Sequence, residues 1–132
     1  MLKRVLFCAA VASVVLGAPL NAQAPTPTIK RSVLQKVDVP DGKKYEVVLG
    51  FAELPAGVAI GRHTHPGVEQ GTLIEGELTL MVDGQPDKTF KPGDSWQIPI
   101  GAIHDAKAGA SGAKVIVSYT VEKGQPLAIP AK

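Results

Sequence analysis

The sequence predicts an all-β barrel or sandwich, and three observations carry that expectation. Turn signals recur densely: Pro40-Asp41-Gly42, Pro55-Ala56-Gly57, Asp83-Gly84, Pro92-Gly93-Asp94, Pro99-Ile100-Gly101 and the stretch from Gly109 to Gly112. Short segments between them are rich in β-branched and aromatic residues at alternating positions. Past residue 24, only weak candidates near the start offer a helical period free of Gly and Pro. At 132 residues, with 45% hydrophobic and 20% charged residues, the chain suits one folded domain; extensive disorder and a multidomain machine are both excluded.

Taken in order, residues 1–24 read as a secretory signal peptide. Lys3 and Arg4 precede an apolar run from Val5 to Leu16, and Ala22-Gln23-Ala24 supplies a small-x-small cleavage site. Gly17, Pro19 and Asn21 end the run before the roughly 18 to 20 apolar residues a membrane anchor needs. The expected product is periplasmic or secreted. The full chain carries 14 Lys and Arg against 12 Asp and Glu, a net charge of +2. Both surplus cations, and the single Cys8, lie in the leader. A neutral, thiol-free remainder with few aromatics offers no electrostatic footprint for nucleic acid, no stacking series and no disulfide. Packing, or packing aided by a bound ion, must then hold the domain together.

Residues 25–42 form an N-terminal extended segment with a Pro-rich start; Val33 to Val39 is a candidate strand for pairing two copies into a homodimer. The barrel itself is expected over residues 43–122. Tyr45 to Ala52, Leu78 to Val82 and Lys114 to Val121 are its clearest strands, with Val115, Val117, Tyr119 and Val121 on one face. Tyr45, Phe51, Met81, Phe90, Tyr119 and Trp96 read as core, and residues 123–132 as a C-terminal tail.

All three histidines fall in two short regions. Side chains at i and i+2 of a strand share a face, so His63 and His65 project together, and Glu69 follows the bend at Pro66-Gly67. Imidazole and carboxylate are ordinary metal ligands, yet the same three residues are also ordinary polar surface. The wider pattern decides between those readings. Gly57, His63, His65, Glu69 and Gly76 match G-x5-H-x-H-x3-E-x6-G, and Gly93, Pro99, Gly101 and His104 match G-x5-P-x-G-x2-H. On these residues the chain resembles the cupin superfamily; Ala108 stands where the second motif ends in Asn. The resemblance implies a single-domain double-stranded β-helix, or jelly-roll barrel. It also implies that His63, His65, Glu69 and His104 hold a divalent ion, with Mn, Fe, Ni, Co, Zn and Cu all compatible with the donors.

Strand parity sketches a substrate pocket. Gly61 and Ala59 should share the face of His63 and His65, making Gly61 room for substrate, whereas Ile60 and Arg62 should point away. Gln97 becomes a candidate substrate contact if its face is the inward one, and Asp105 should point away from His104. Four protein ligands on a six-coordinate ion would leave positions for a chelating small molecule, with Glu69 as ligand or catalytic base. The leading expectation is an exported metal-dependent enzyme, dioxygenase-like, acting on a small oxygenated organic molecule. The alternative is a non-catalytic module that binds or senses a small ligand, since no further acid, base or nucleophile accompanies the motifs.

Overall fold

The computed structural model describes residues 25–39 and 44–132. The leader expected over residues 1–24 and the turn at Pro40-Asp41-Gly42 lie outside the described residues. Eight strands and no helix make up what is described: β1 (Lys30–Asp38), β2 (Tyr45–Leu54), β3 (His63–Thr64), β4 (Gly67–Val82), β5 (Lys88–Phe90), β6 (Ser95–Ile98), β7 (His104–Glu122) and β8 (Ile129–Pro130).

The long strand β7 is the spine. On one edge it pairs with β2, from Tyr45↔Glu122 to Leu54↔Ala113, and then with β3 through His63↔His104. On the other edge β4 runs its whole length, from Gly67↔Val121 to Val82↔His104, and carries β5 and β6 on its far side. Two register shifts in β4, at Leu73/Glu75 and Gly76/Leu78, mark a corner. There Gly76 has φ +82°, and a Cβ on it would lie 2.0 Å from the carbonyl oxygen of Gly112. Only glycine permits that crossing, which lets the ladder fold over on itself and curl the sheet into a barrel.

Alternation sets the core. On β2 the even-numbered positions face inward, so Val48, Ala52 and Leu54 are buried. Val115, Val117 and Val121 of β7 are buried on one face with the half-buried Tyr119, as their spacing predicts. Among the aromatics expected in the core, Phe90 and Trp96 are buried, whereas Tyr45 is exposed and Phe51 half-buried. The reason is parity: Tyr45 and Phe51 are odd-numbered on β2, and Met81 falls on the outward side of Leu80. The inward Glu46 is buried and paired with Lys36 Nζ at 2.8 Å.

The first and last described strands join the same sheet. All nine residues of β1, within the N-terminal extended segment, are exposed, and β1 pairs with β2 through a bulge between Val33 and Gln35. Near the other end, β8 pairs with β3 as Thr64↔Ile129 and His63↔Pro130. Arg62 pins this end further: its guanidinium holds Asp83 through two 2.7 Å hydrogen bonds and reaches the Lys132 carbonyl at 3.3 Å.

Candidate metal centre

Three strands and the bend after β3 deliver four side chains to one point. His63 belongs to β3 and stands directly across from His104, the first residue of β7. His65 follows β3, and Glu69 comes from β4, where it pairs with Ile98 on one side and Tyr119 on the other. All four are buried, and one ligand atom from each lies within 4.8 Å of the others. Taking four polar groups out of water together is costly unless each is satisfied or shares a cation.

Each imidazole is held by a backbone carbonyl. His63 Nδ1 donates to Gly61 O at 2.7 Å, His104 Nδ1 donates to Ala102 O at 3.0 Å, and His65 Nδ1 donates to Leu127 O. A carbonyl oxygen only accepts, so each Nδ1 carries the hydrogen and each Nε2 presents its lone pair to the cluster. His65 Nε2 is buried and has no hydrogen-bond partner. Its 2.6 Å approach to Glu69 Oε2 brings two electron-rich atoms together off the line of a hydrogen bond. Three lone pairs and a carboxylate oxygen converging in this way are the donor set of a divalent cation. The residues therefore fit the metal that the motifs imply.

Glu69 is itself oriented. Trp96 Nε1 donates to Glu69 Oε1 at 2.9 Å, which leaves Oε2 for the cluster. The indole reaches it by lying on Gly71, its cross-strand partner, where a Cβ would come within 2.2 Å of the ring. Burial alone would push the Glu69 carboxyl up, but without an ion the neighbouring His104 and His65 rings, which can take a proton on Nε2, and the Trp96 N–H outweigh it and hold the group well below the usual carboxylate range. Burial lowers His63. It acts against His104 too, yet the Glu69 carboxylate 3.7 Å from Nε2 and the Ala102 carbonyl on Nδ1 bring that imidazole above its ordinary value. Tyr119, with its ring 5.0 Å from that of His65, is pushed up by burial and by the Glu69 charge, so its phenol stays neutral.

Beside the cluster lies a cavity of about 250 Å³. Its polar lining beyond the four cluster residues consists of Arg31, Ser32, Tyr119 and the already engaged Trp96; the remaining side chains are apolar.

Two positions expected to meet substrate lie elsewhere. Gly61 is exposed with φ +95°, so the chain entering β3 is not a regular strand and parity counted back from His63 fails. Ile60, expected to point away, lines the cavity instead. The part Gly61 plays is to hold His63 through its carbonyl, while its own N–H is tied to Asp105 Oδ1 at 2.9 Å. Asp105 thus supports His63, not its neighbour His104. Gln97 is exposed between the buried Trp96 and Ile98, so its amide is on the outer face, in a separate cleft with Gln70, Thr72, Ser95 and Ser118. The part of Trp96 in holding Glu69 and the Leu127 carbonyl on His65 are roles that spacing did not reveal.

The sequence matches the family model described as Cupin domain over residues 50–119. No curated protein matches it. Solved structures with the same architecture include the DMSP lyase DddQ of Ruegeria pomeroyi DSS-3, at 21% identity over 64% of this chain and 43% of that chain, TM-score 0.59. An oxalate oxidase shares 24% identity over 55% of this chain and 41% of its own, TM-score 0.52. A cupin superfamily protein of Desulfitobacterium hafniense DCB-2 shares 17% identity over 86% and 99%, TM-score 0.61. The chain therefore spans less than half the length of the lyase and of the oxidase.

Proposed function

The chain belongs to the cupin family, and from that premise we propose that it is an exported metal-dependent enzyme, dioxygenase-like in its chemistry, acting on a small oxygenated organic molecule. One observation carries the reading: three imidazoles fixed with their Nε2 lone pairs inward, and one oriented carboxylate, beside a cavity of about 250 Å³. Export rests on the leader pattern of residues 1–24. The structural neighbours named as a lyase and an oxidase add support for catalysis on a comparable frame.

His63, His65, Glu69 and His104 would hold the ion, and a divalent ion there supplies Lewis acidity toward oxygen donors. The chain's own groups do the remaining work. The three carbonyls fix the imidazoles so that the donor set needs no rearrangement on loading. Trp96 keeps one carboxylate oxygen engaged, and Glu69, on leaving the ion, is among the described residues the one carboxylate facing the cavity that can accept a proton from a substrate hydroxyl. The apolar walls exclude water from that exchange. The exposed edge strand β1 is the surface on which two copies would pair; neither nucleic acid nor membrane enters the proposal.

Aerobic incubation of metal-reconstituted protein with chelating oxygenated compounds, followed by mass analysis, tests the reading. New products that disappear in Glu69→Gln support it; unchanged compounds with every ion would sink the enzymatic version. A second reading, a binding module without turnover, is favoured by the short polar lining of the cavity, in which, among the described residues, Arg31 and Tyr119 are the only titratable groups beyond the cluster. Tight binding with no product under air would establish that alternative.

A further inference from the structure

The dimensions and charge of the cavity narrow the ligand, an inference that rests on the metal site of the preceding reading. An apolar cavity of roughly 150 Å³ holds one benzene ring, and drug-sized ligands occupy roughly 300–1,000 Å³. The 250 Å³ found here lies between, room for one substituted ring and too little for a fused multi-ring flavonol. The walls agree with a ring. Val48, Ala52, Leu54, Leu78, Val115 and Val117 offer no hydrogen bond to a polar body, so a wholly polar ligand would lose its hydration without replacement.

Charge makes a second selection. An imidazole that ligates an ion is neutral, so three of them with one carboxylate contribute −1, and a divalent ion brings the centre to +1. A monoanionic oxygen pair neutralises it, whereas a dianion such as oxalate leaves an uncompensated negative charge among apolar walls. The only cation lining the cavity, among the described residues, is Arg31 on β1. Its register partner is the inward-facing Ala52, and it is exposed, which places the guanidinium at the mouth and not beside the cluster. Next to it, Gly50 leaves space: a Cβ there would meet Val117 Cγ2 at 3.4 Å and Ser32 O at 3.5 Å, and anything longer would enter the cavity.

We propose that the chamber binds a single-ring molecule with two adjacent ring oxygens, which meet the cluster as a monoanion, and an anionic substituent that reaches Arg31. A compound such as 3,4-dihydroxybenzoate has that form.

The test uses the Zn²⁺-loaded protein under argon, with fluorescence of the single tryptophan, Trp96, as readout. 3,4-Dihydroxybenzoate should bind, and catechol more weakly; benzoate, oxalate and a flavonol should not. Arg31→Gln should weaken 3,4-dihydroxybenzoate about tenfold and leave catechol unchanged. Gly50→Val should weaken both ring compounds about tenfold or more with Zn²⁺ affinity intact, and Gly50→Ala, which the contacts admit, should do so to a lesser degree. Oxalate binding as tightly as the ring compounds, or a flavonol binding to wild type, would overturn the substrate class while leaving the metal site standing. Failure to take up Zn²⁺ would overturn the metal reading itself.

Discussion

The centre has two sides that are held in different ways. His63 and His104 each donate to a carbonyl two residues back in their own segment, Gly61 and Ala102. His65 donates to Leu127, 62 residues away, at the end of the chain that crosses the site. A local anchor forms with the turn that carries it and costs little chain entropy. A distant one exists only after the barrel has closed and β8 has paired with β3. The comparison teaches that a ligand triad can be uniform in chemistry and unequal in origin, with one imidazole depending on the tertiary fold for its tautomer.

Removing a ligand outright should have the largest effect. His104→Ala removes a donor atom from the cluster, so the melting-temperature gain on adding metal should vanish. For an ion at 100 times its dissociation constant the wild-type gain is about 2.7 kcal/mol. Thermal melts with and without chelator check this, and an undiminished metal-dependent shift in the variant would remove His104 from the ligand set.

The distant anchor is broken alone by ending the chain at Gln125, which deletes the Leu127 carbonyl and β8. Loss of such an outer partner should cost about 10–100-fold in metal affinity, read by isothermal titration. Asp105→Ala acts on the local side instead, by freeing the Gly61 N–H. Its effect should be smaller than that of the truncation, because the Gly61 carbonyl remains two residues from His63. An Asp105→Ala loss equal to or above that of the truncation would reverse the comparison.

Trp96→Phe keeps an aromatic ring on Gly71 but removes the donor to Glu69 Oε1. Metal affinity should fall about tenfold, with little change in the fold. Equal affinities in wild type and variant would reduce Trp96 to packing.

The smallest effect concerns acid stability without metal. The Glu69 carboxyl is lower in the folded than in the unfolded chain, so its stabilising contribution is present above the ordinary carboxylate range and is lost as pH falls through the folded value. Metal-free wild type should melt progressively lower as pH drops below that range. Glu69→Gln should show a shallower dependence, and parallel curves would contradict the assignment.

Much of this molecule could be read from its residues. Turn pairs and two-residue alternation led to an all-β barrel, because the strand period is a local property of the backbone. Spacing puts His63 and His65 on one face with Glu69 close by, and the resemblance to the cupin motifs implies the full ligand set with His104, which the fold brings within 4.8 Å. Counting parity failed at Gly61, since a positive φ resets the alternation that the count assumes. The face of Gln97 is not legible in the sequence, because a four-residue strand shows its alternation but not which side is inward.

What the chain states on its own is therefore periodic and short-range: the strand pattern, the donor types and their spacing along each segment. The tertiary fold alone decided which carbonyl holds His65, that Trp96 crosses Gly71 to reach Glu69, and that Arg31 lies at the mouth of the cavity. Those contacts join residues far apart in the chain. Their partners are chosen by barrel closure and by the corner at Gly76, and no local periodicity encodes them.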